Sequence, residues 1–246
     1  MDKQKIKQSF SKSAVSYDQY ADLQQEVLAK FFMSLPELSG KILDIGCGTG
    51  LLARLIAEKY HQTEVLGLDL APGMIEVAKY STSSQRIKFE VGDGEDLPLI
   101  DNIFNWVVSS LACQWMDLEK VFAEVSRVLK KEGRFYFATF GPETLKELKA
   151  VNWSINNFRS QQEIEELLAR DFVEIKVERE IVAKNYQDVC SLLSSMKKIG
   201  SKSLKPLEQQ GLMTKDKINS LLPSSAKGVV ATYEILFVSC QKKGQV

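Results

Sequence analysis

Residues 43–51 read LDIGCGTGL. An acidic residue, Asp44, is followed by glycines at 46, 48 and 50. The turn ends a short apolar strand, KILDIG (41–46), and opens a helical stretch, GLLARLIAEKY (50–60). Glycines there allow positive φ and let a ligand approach the backbone with no Cβ in the way. Downstream the pattern alternates. EVLGLDL (64–70) reads as strand and PGMIEVAKY (72–80) as helix, with proline near its start. IKFEVGD (87–93) and IFNWVVSSL (103–111) read as strands, LEKVFAEVSRVLKK (118–131) as an amphipathic helix capped at Gly133, and RFYFATF (134–140) as strand. This alternation predicts an α/β protein with a mostly parallel sheet and helices on both faces. Ligands of such sheets bind at the carboxyl ends of the strands, where the glycine turn lies.

The ends of the chain differ from this core. Residues 1–39 read as a helical cover, with Leu23, Val27, Leu28, Phe31 and Phe32 on one stripe, closed by Pro36 and Gly40. After 140, PETLKELKAV and QQEIEELLAR read as helices, FVEIKVEREIVAKN (172–185) as a long alternating strand and GVVATYEILFVSCQK (228–242) as the last strand. Residues 186–228 read as two helices inserted between these strands, a position that suits a lid. The expected organisation is a single domain, 1–246, with a cofactor-binding core at 40–141.

Composition narrows the function classes. With 32 basic and 32 acidic side chains the formal net charge is zero, which disfavours a nucleic-acid partner. The cysteines, at 47, 113, 190 and 240, form no CxxC pair. No metal site or disulfide framework is expected, and the pattern suits a reducing compartment. No apolar run reaches the ~20 residues of a membrane span, and MDKQKIKQSF lacks a signal-peptide core. A cytoplasmic, monomeric protein is expected. The one histidine, His61, lies in a polar loop, so a Ser-His-Asp triad lacks material.

The glycine turn itself excludes two nucleotide sites. No lysine follows Gly50, so a P-loop is absent. A dinucleotide fingerprint starting at Gly46 needs a third glycine at 51, which is Leu51. The following strands supply two carboxylates in register. Asp69 ends the second strand, where it can accept both ribose hydroxyls of an adenosine or cap the next helix. Asp93, in GDGEDLPL (92–99), can accept an adenine amino group, with Leu70 and Met74 flanking the base.

With Asp44-Ile45-Gly46-Cys47-Gly48-Thr49-Gly50 as first motif, Asp69 as second and Asp93 as third, residues 38–141 resemble the class I S-adenosylmethionine-dependent methyltransferases. The resemblance implies a Rossmann-like sheet of seven strands, the last antiparallel. It also implies a cofactor set of Asp44, Gly46, Cys47, Gly48, Gly50, Asp69, Leu70, Met74, Asp93, Gly94, Ser110 and Leu111.

SFSKSAVSYDQYADLQ (9–24), SSLACQWMDL (109–118) and TFGPETLKEL (139–148), with NNFRS (156–160), MKKIGS (196–201) and ATYEILFV (231–238), look like the malonyl-acyl carrier protein O-methyltransferases of biotin synthesis. That family often has asparagine where Ser110 stands and aspartate where Asn105 stands. The resemblance implies methyl transfer from S-adenosylmethionine to the free carboxylate of a malonyl thioester, the step that primes pimeloyl synthesis, with Tyr17 beside the methyl group. Gln114 and Trp115 stand just beyond the fourth strand, at the ligand edge, and Arg159 and Lys197 are candidates for holding the malonyl carboxylate. The implied partner is an acidic acyl carrier protein, for which Lys197, Lys198, Lys202 and Lys205 offer a basic dock. Two alternatives stay open: another small-molecule methyltransferase, acting on a quinone precursor or other carboxylic acid, and a cofactor-binding regulator without catalysis.

Overall fold

The computed structural model describes residues 2–150, 153–200, 205–206, 224–225 and 228–244. Helix α1 (Lys3–Ser13) starts where the Asp2 side chain accepts the Lys5 amide, and it is followed by a 3-10 turn and a short helix, Tyr17–Tyr20. Helix α2 (Asp22–Ser34) buries Leu23, Val27 and Phe31, with Leu28 and Phe32 partly buried beside them. Full burial of side chains like Val27 and Phe31 contributes roughly 1.5–3 kcal/mol each.

Seven long strands follow: β1 (Gly40–Ile45), β2 (Thr63–Asp69), β3 (Ile87–Val91), β4 (Phe104–Ser110), β5 (Leu129–Phe140), β6 (Phe172–Tyr186) and β7 (Gly228–Lys242). Their order is β3-β2-β1-β4-β5-β7-β6. The first five pair in parallel, and β7 runs antiparallel to both neighbours. This is the seven-stranded mixed sheet expected from the sequence. The central strand β1 is buried on both faces: Ile42 belongs to one apolar core and Leu43 to the other. The first core packs α2 and α3 (Leu51–Lys59) on the sheet, and the second packs α5 (Leu118–Val128) and α6 (Gln161–Leu168). Helix α4 (Pro72–Tyr80) follows β2 and packs against α1.

The helix expected over 118–131 stops at Val128, and β5 begins at Leu129. Leu129 has extended backbone, is fully buried and pairs with Phe104. The tertiary strand partner overrides the helical period of LKK. Gly133 therefore caps no helix; it follows Glu132, whose φ is +62°, in an irregularity between the Phe104 and Trp106 pairings. The helix expected from Pro142 is also shorter, Lys146–Ala150, because Gly141 and Leu145 donate to carbonyls of β7. In the insertion after β6, helix α7 (Val189–Lys198) is seen. The second expected helix and Lys202 lie outside the described residues, and so does the side chain of Lys205. No helix among the described residues is long and apolar enough to cross a membrane.

Candidate active site

The turn after β1 has three glycines in the left-handed region, at φ +69°, +54° and +80° for Gly46, Gly48 and Gly50. They serve different ends. A Cβ on Gly46 would lie 2.2 Å from the Ala112 Cβ, and one on Gly50 would lie 2.5 Å from the Phe89 ring. A Cβ on Gly48 would meet nothing within 4 Å. The outer glycines pack; the middle one borders open space.

That space is a cavity floored by Gly46, Gly48, Leu68, Asp69 and Leu70, with Met74, Asp93, Gly94, Ser110 and Leu111 around it. Asp69 accepts the Gly48 amide at 3.0 Å and the Ala71 amide at 2.8 Å. It thereby fixes the residue that precedes α4 and ties β2 to the glycine turn. Burial raises its pKa, opposed by these two amides. Asp44 beneath the turn is buried, and one of its carboxyl oxygens has no partner among the described residues. Burial, reinforced by the charge of Asp69, pushes its pKa up to about 8. Asp93 accepts the Glu95 amide at 3.0 Å and the Lys3 ammonium at 2.6 Å. The Lys3 ammonium also lies 2.7 Å from Glu95. Lys3 is the one cation among the described lining residues, beside Asp69, Asp93 and Glu95. Such a field repels a diphosphate. It suits a cationic ligand carrying a diol and a flat base, and the orphaned Asp44 oxygen fits the same group.

A second cavity adjoins the first. Phe10, Tyr17, Leu111 and Trp115 line both. The Phe10 and Trp115 rings meet edge to face at 5.5 Å. Leu111 is held at φ +49°, a strained conformation for a side chain of this size. Its amide donates to Ala138, and its carbonyl accepts the Gln114 side-chain amide at 2.5 Å. Gln114 thus props the partition between the cavities and lines the second one. The second cavity is walled by Leu23, Phe140, Ile155, Phe158, Met196 and Tyr233. Withdrawal of the Tyr17 phenol from water, with Asp69 and Asp18 nearby, raises its pKa far above the usual tyrosine value.

Comparison with known proteins decides the family. A family model described as a methyltransferase domain matches residues 43–137. Malonyl-acyl-carrier-protein O-methyltransferase of Gallionella capsiferriformans is 35% identical, the match covering 96% of this chain and 90% of that protein. The chain belongs to the malonyl-acyl-carrier-protein O-methyltransferase family. The relative of the same name from Geobacter sulfurreducens is 32% identical, over 96% of this chain and 98% of that one. The fold is shared more widely. A phosphoethanolamine N-methyltransferase from Haemonchus contortus, solved with S-adenosyl-L-methionine, superposes with a TM-score of 0.61 at 20% identity. That match covers 96% of this chain and 57% of the other.

For this member of the methyltransferase family, the sequence-expected residues divide into groups. Gly46, Gly48, Asp69, Leu70, Met74, Asp93, Gly94, Ser110 and Leu111 line the first cavity. Cys47 turns its thiol into the core, 3.0 Å from where a Gly67 Cβ would stand and 3.8 Å from the Gly48 carbonyl, and it is not among the residues lining the first cavity. Tyr17 and Trp115 stand at the partition and Gln114 beside it. Arg159 is exposed, 2.9 Å from Glu163, and lines a third recess that shares Gln114, Trp115, Phe140 and Phe158 with the second cavity. Lys197 is exposed on the last turn of α7, outside both cavities, while Lys198 sits 4.1 Å over the Tyr20 ring, which lines the second cavity. Asn105 accepts the Lys41 amide and the Lys130 ammonium at the start of the sheet, away from both cavities.

Sequence reasoning passed over Lys3, Phe10 and Lys184. Lys3, Ile6 and Phe10 line the first cavity and are spaced three and four apart, the period of one helix face. Lys184 and Tyr186 share a face of β6 by alternation, and both line the second cavity, with the Lys184 ammonium bonded to Glu26. Those periods were the available signals.

Proposed function

We propose that this chain transfers a methyl group from S-adenosylmethionine to the free carboxylate of a malonyl thioester, carried by acyl carrier protein or coenzyme A. The observation that carries the reading is the partition: Phe10, Tyr17, Leu111 and Trp115 border both cavities, so donor and acceptor meet there. S-adenosylmethionine, when bound, supplies an electrophilic methyl on a sulfonium. Asp69 has lone pairs left for the ribose diol after accepting its two amides, and Asp93 has them for the adenine amino group. Leu70 and Met74 flank the base. Asp44 offers its free oxygen to the positive end of the cofactor.

The acceptor needs no general base, because a carboxylate with a pKa of ~4 is already the nucleophile at pH 7. This fits a partition with no histidine. The Tyr17 phenol, kept protonated by its raised pKa, donates a hydrogen bond that orients one carboxylate oxygen. Gln114 holds Leu111 and faces the acceptor. The aromatic walls exclude water, which favours a step in which opposite charges are annihilated. Orientation of this kind supplies on the order of 7–11 kcal/mol in the best cases. Lys197 and Lys198, with Lys202 and Lys205 next in sequence, offer the acidic carrier protein a basic surface. The insertion after β6 acts as a lid within one domain. The chain works as a monomer without a metal, in the cytoplasm, where its four free thiols persist.

The test is direct. The protein is incubated with S-adenosylmethionine and malonyl-carrier protein, malonyl-CoA, free malonate or a quinone precursor, and product masses are read. One added methyl on the thioesters alone supports the proposal. Methylation of the quinone precursor instead, or tight cofactor binding with no transfer, overturns it.

A further inference from the structure

Helix α1 covers the first cavity with Lys3, Ile6 and Phe10, and Tyr17 follows on the same segment. Apolar and polar ties hold it down: Phe10 packs with Ala14, Ala71 and Met74 and meets the Trp115 ring. The buried residues of α1 are two serines, Ser9 and Ser13. Ser9 donates to the Gly200 carbonyl at 2.8 Å. The α1 backbone lies directly on Gly73, where a Cβ would stand 2.6 Å from the Ser11 carbonyl oxygen. At its N-terminal end, Lys3 pairs with Asp93 at 2.6 Å and Glu95 at 2.7 Å. The Glu95 side chain is only 7% exposed, and it accepts the Asp117 amide at 3.0 Å as well as the Lys3 ammonium. An element anchored by few buried apolar groups and a handful of polar ties opens at a small fraction of the global unfolding free energy.

Two consequences follow from this placement. Lys3, Ile6 and Phe10 form one wall of the cavity, so a ligand of cofactor size gains contacts with α1 when it binds. Lys3 and the ligand's base then share one carboxylate, Asp93, so each orients it for the other. The second consequence concerns the neighbouring cavity. Phe10 and Tyr17 form its inner wall as well, so that cavity is complete only with α1 down.

We infer that Lys3 is a positioning residue that latches α1 over the cofactor, and that this latch makes binding ordered, cofactor before acceptor. The inference rests on the reading of the two cavities given above. It differs from a static cover in assigning the closing contact to one lysine and in coupling the two sites through a single helix.

Release of S-adenosylhomocysteine, followed by stopped-flow tryptophan fluorescence, tests the latch without turnover. Lys3→Met speeds release on the order of tenfold, the loss of charge-assisted bonds to two carboxylates, and Lys3→Arg restores most of it. Hydrogen exchange of the α1 amides in the complex rises in parallel in Lys3→Met and not in Lys3→Arg. Release and exchange in Lys3→Met equal to those of the unaltered protein overturn the latch. Calorimetry with malonyl-CoA and with malonyl-carrier protein tests the order. Binding that requires S-adenosylhomocysteine supports it, and equal binding without S-adenosylhomocysteine overturns it. If neither malonyl-CoA nor malonyl-carrier protein binds under either condition, the acceptor proposal fails and the claimed order falls with it, while the latch is still decided by the release rates.

Discussion

The amide of Gly48 donates to the carboxylate of Asp69 across 3.0 Å, joining the glycine turn after β1 to the end of β2. The other carboxylate oxygen accepts the Ala71 amide at the start of α4. One side chain therefore fixes three parts of the cofactor cavity. In Asp69→Asn, an amide NH2 replaces one acceptor and faces an N–H donor. The cost is about 1–3 kcal/mol for the unsatisfied pair. We expect S-adenosylhomocysteine affinity, measured by calorimetry, to fall about tenfold to a hundredfold, with a smaller drop in melting temperature.

Gly46 and Gly48 differ in what a methyl group would meet. Gly46→Ala drives a Cβ to 2.2 Å from Ala112, so the turn must move and the fold loses several kcal/mol, on the order of 2–4. Gly48→Ala meets no protein atom within 4 Å and carries only the strain of positive φ, about 1–2 kcal/mol. Its methyl group borders the cavity. Thermal melts separate the two: Gly46→Ala loses stability first, while Gly48→Ala stays folded and loses cofactor affinity.

Asp44 links stability to pH in a direction unusual for a carboxyl. Its folded pKa, about 8, is above the ordinary value of 3.8. The folded state thus holds the proton more tightly than the unfolded chain. Its contribution is fully present below pH ~4 and is lost as pH rises through 8. The ligand-free protein should lose a few kcal/mol across that window, and the raised pKa of Asp69 acts in the same sense. A cationic ligand favours ionised Asp44, so its binding releases a proton below pH 8 and strengthens as pH rises. Asp44→Asn should flatten the stability loss and weaken cofactor binding. Melts from pH 5 to 9 with and without S-adenosylmethionine check both.

Tyr17 is held protonated by burial and by the nearby charges of Asp69 and Asp18. The acceptor carboxylate is ionised above pH ~5. Neither group titrates near neutrality, so kcat at saturating S-adenosylmethionine should be flat from pH 6 to about 9, whatever Asp44 does to cofactor affinity. Tyr17→Phe should lower kcat about tenfold to a hundredfold. A fall in S-adenosylhomocysteine affinity of the same size would assign Tyr17 to the cofactor instead.

The glycine turn, Asp69, Asp93 and the alternation of strands and helices in the core were legible because each depends on local spacing along one strand-turn-helix unit. The end of α5 was not: LKK continues a helical period, and only the pairing of Leu129 with Phe104 turns it to strand. Lys3 lies 90 residues from Asp93, and Lys184 lies 158 from Glu26. No local pattern encodes such contacts. Arg159 was legible as a charge, but its exposed pairing with Glu163, one helical turn on, was not assigned from the sequence.

Lys184 makes the last prediction. It is the one lysine or arginine among the described residues lining the acceptor cavity, and Glu26 is its partner. Strand register places it four residues past Glu180, which is level with Phe140 at the end of β5 through their shared partner Ile235. At ~3.3 Å per residue it stands about 13 Å past the level of Phe140, still paired with Ala231 of β7. Under the proposed reading, this offset from the end of β5 assigns it to the thioester handle rather than to the reacting carboxylate. Lys184→Met should raise KM for malonyl-CoA and malonyl-carrier protein by about fivefold with kcat little changed. Lys198→Glu, on the outer surface beside Tyr20, should raise KM for the carrier protein alone. If Lys184→Met lowers kcat instead, the lysine reaches the reacting end. Equal losses on both thioesters in Lys198→Glu would remove that lysine from the carrier dock.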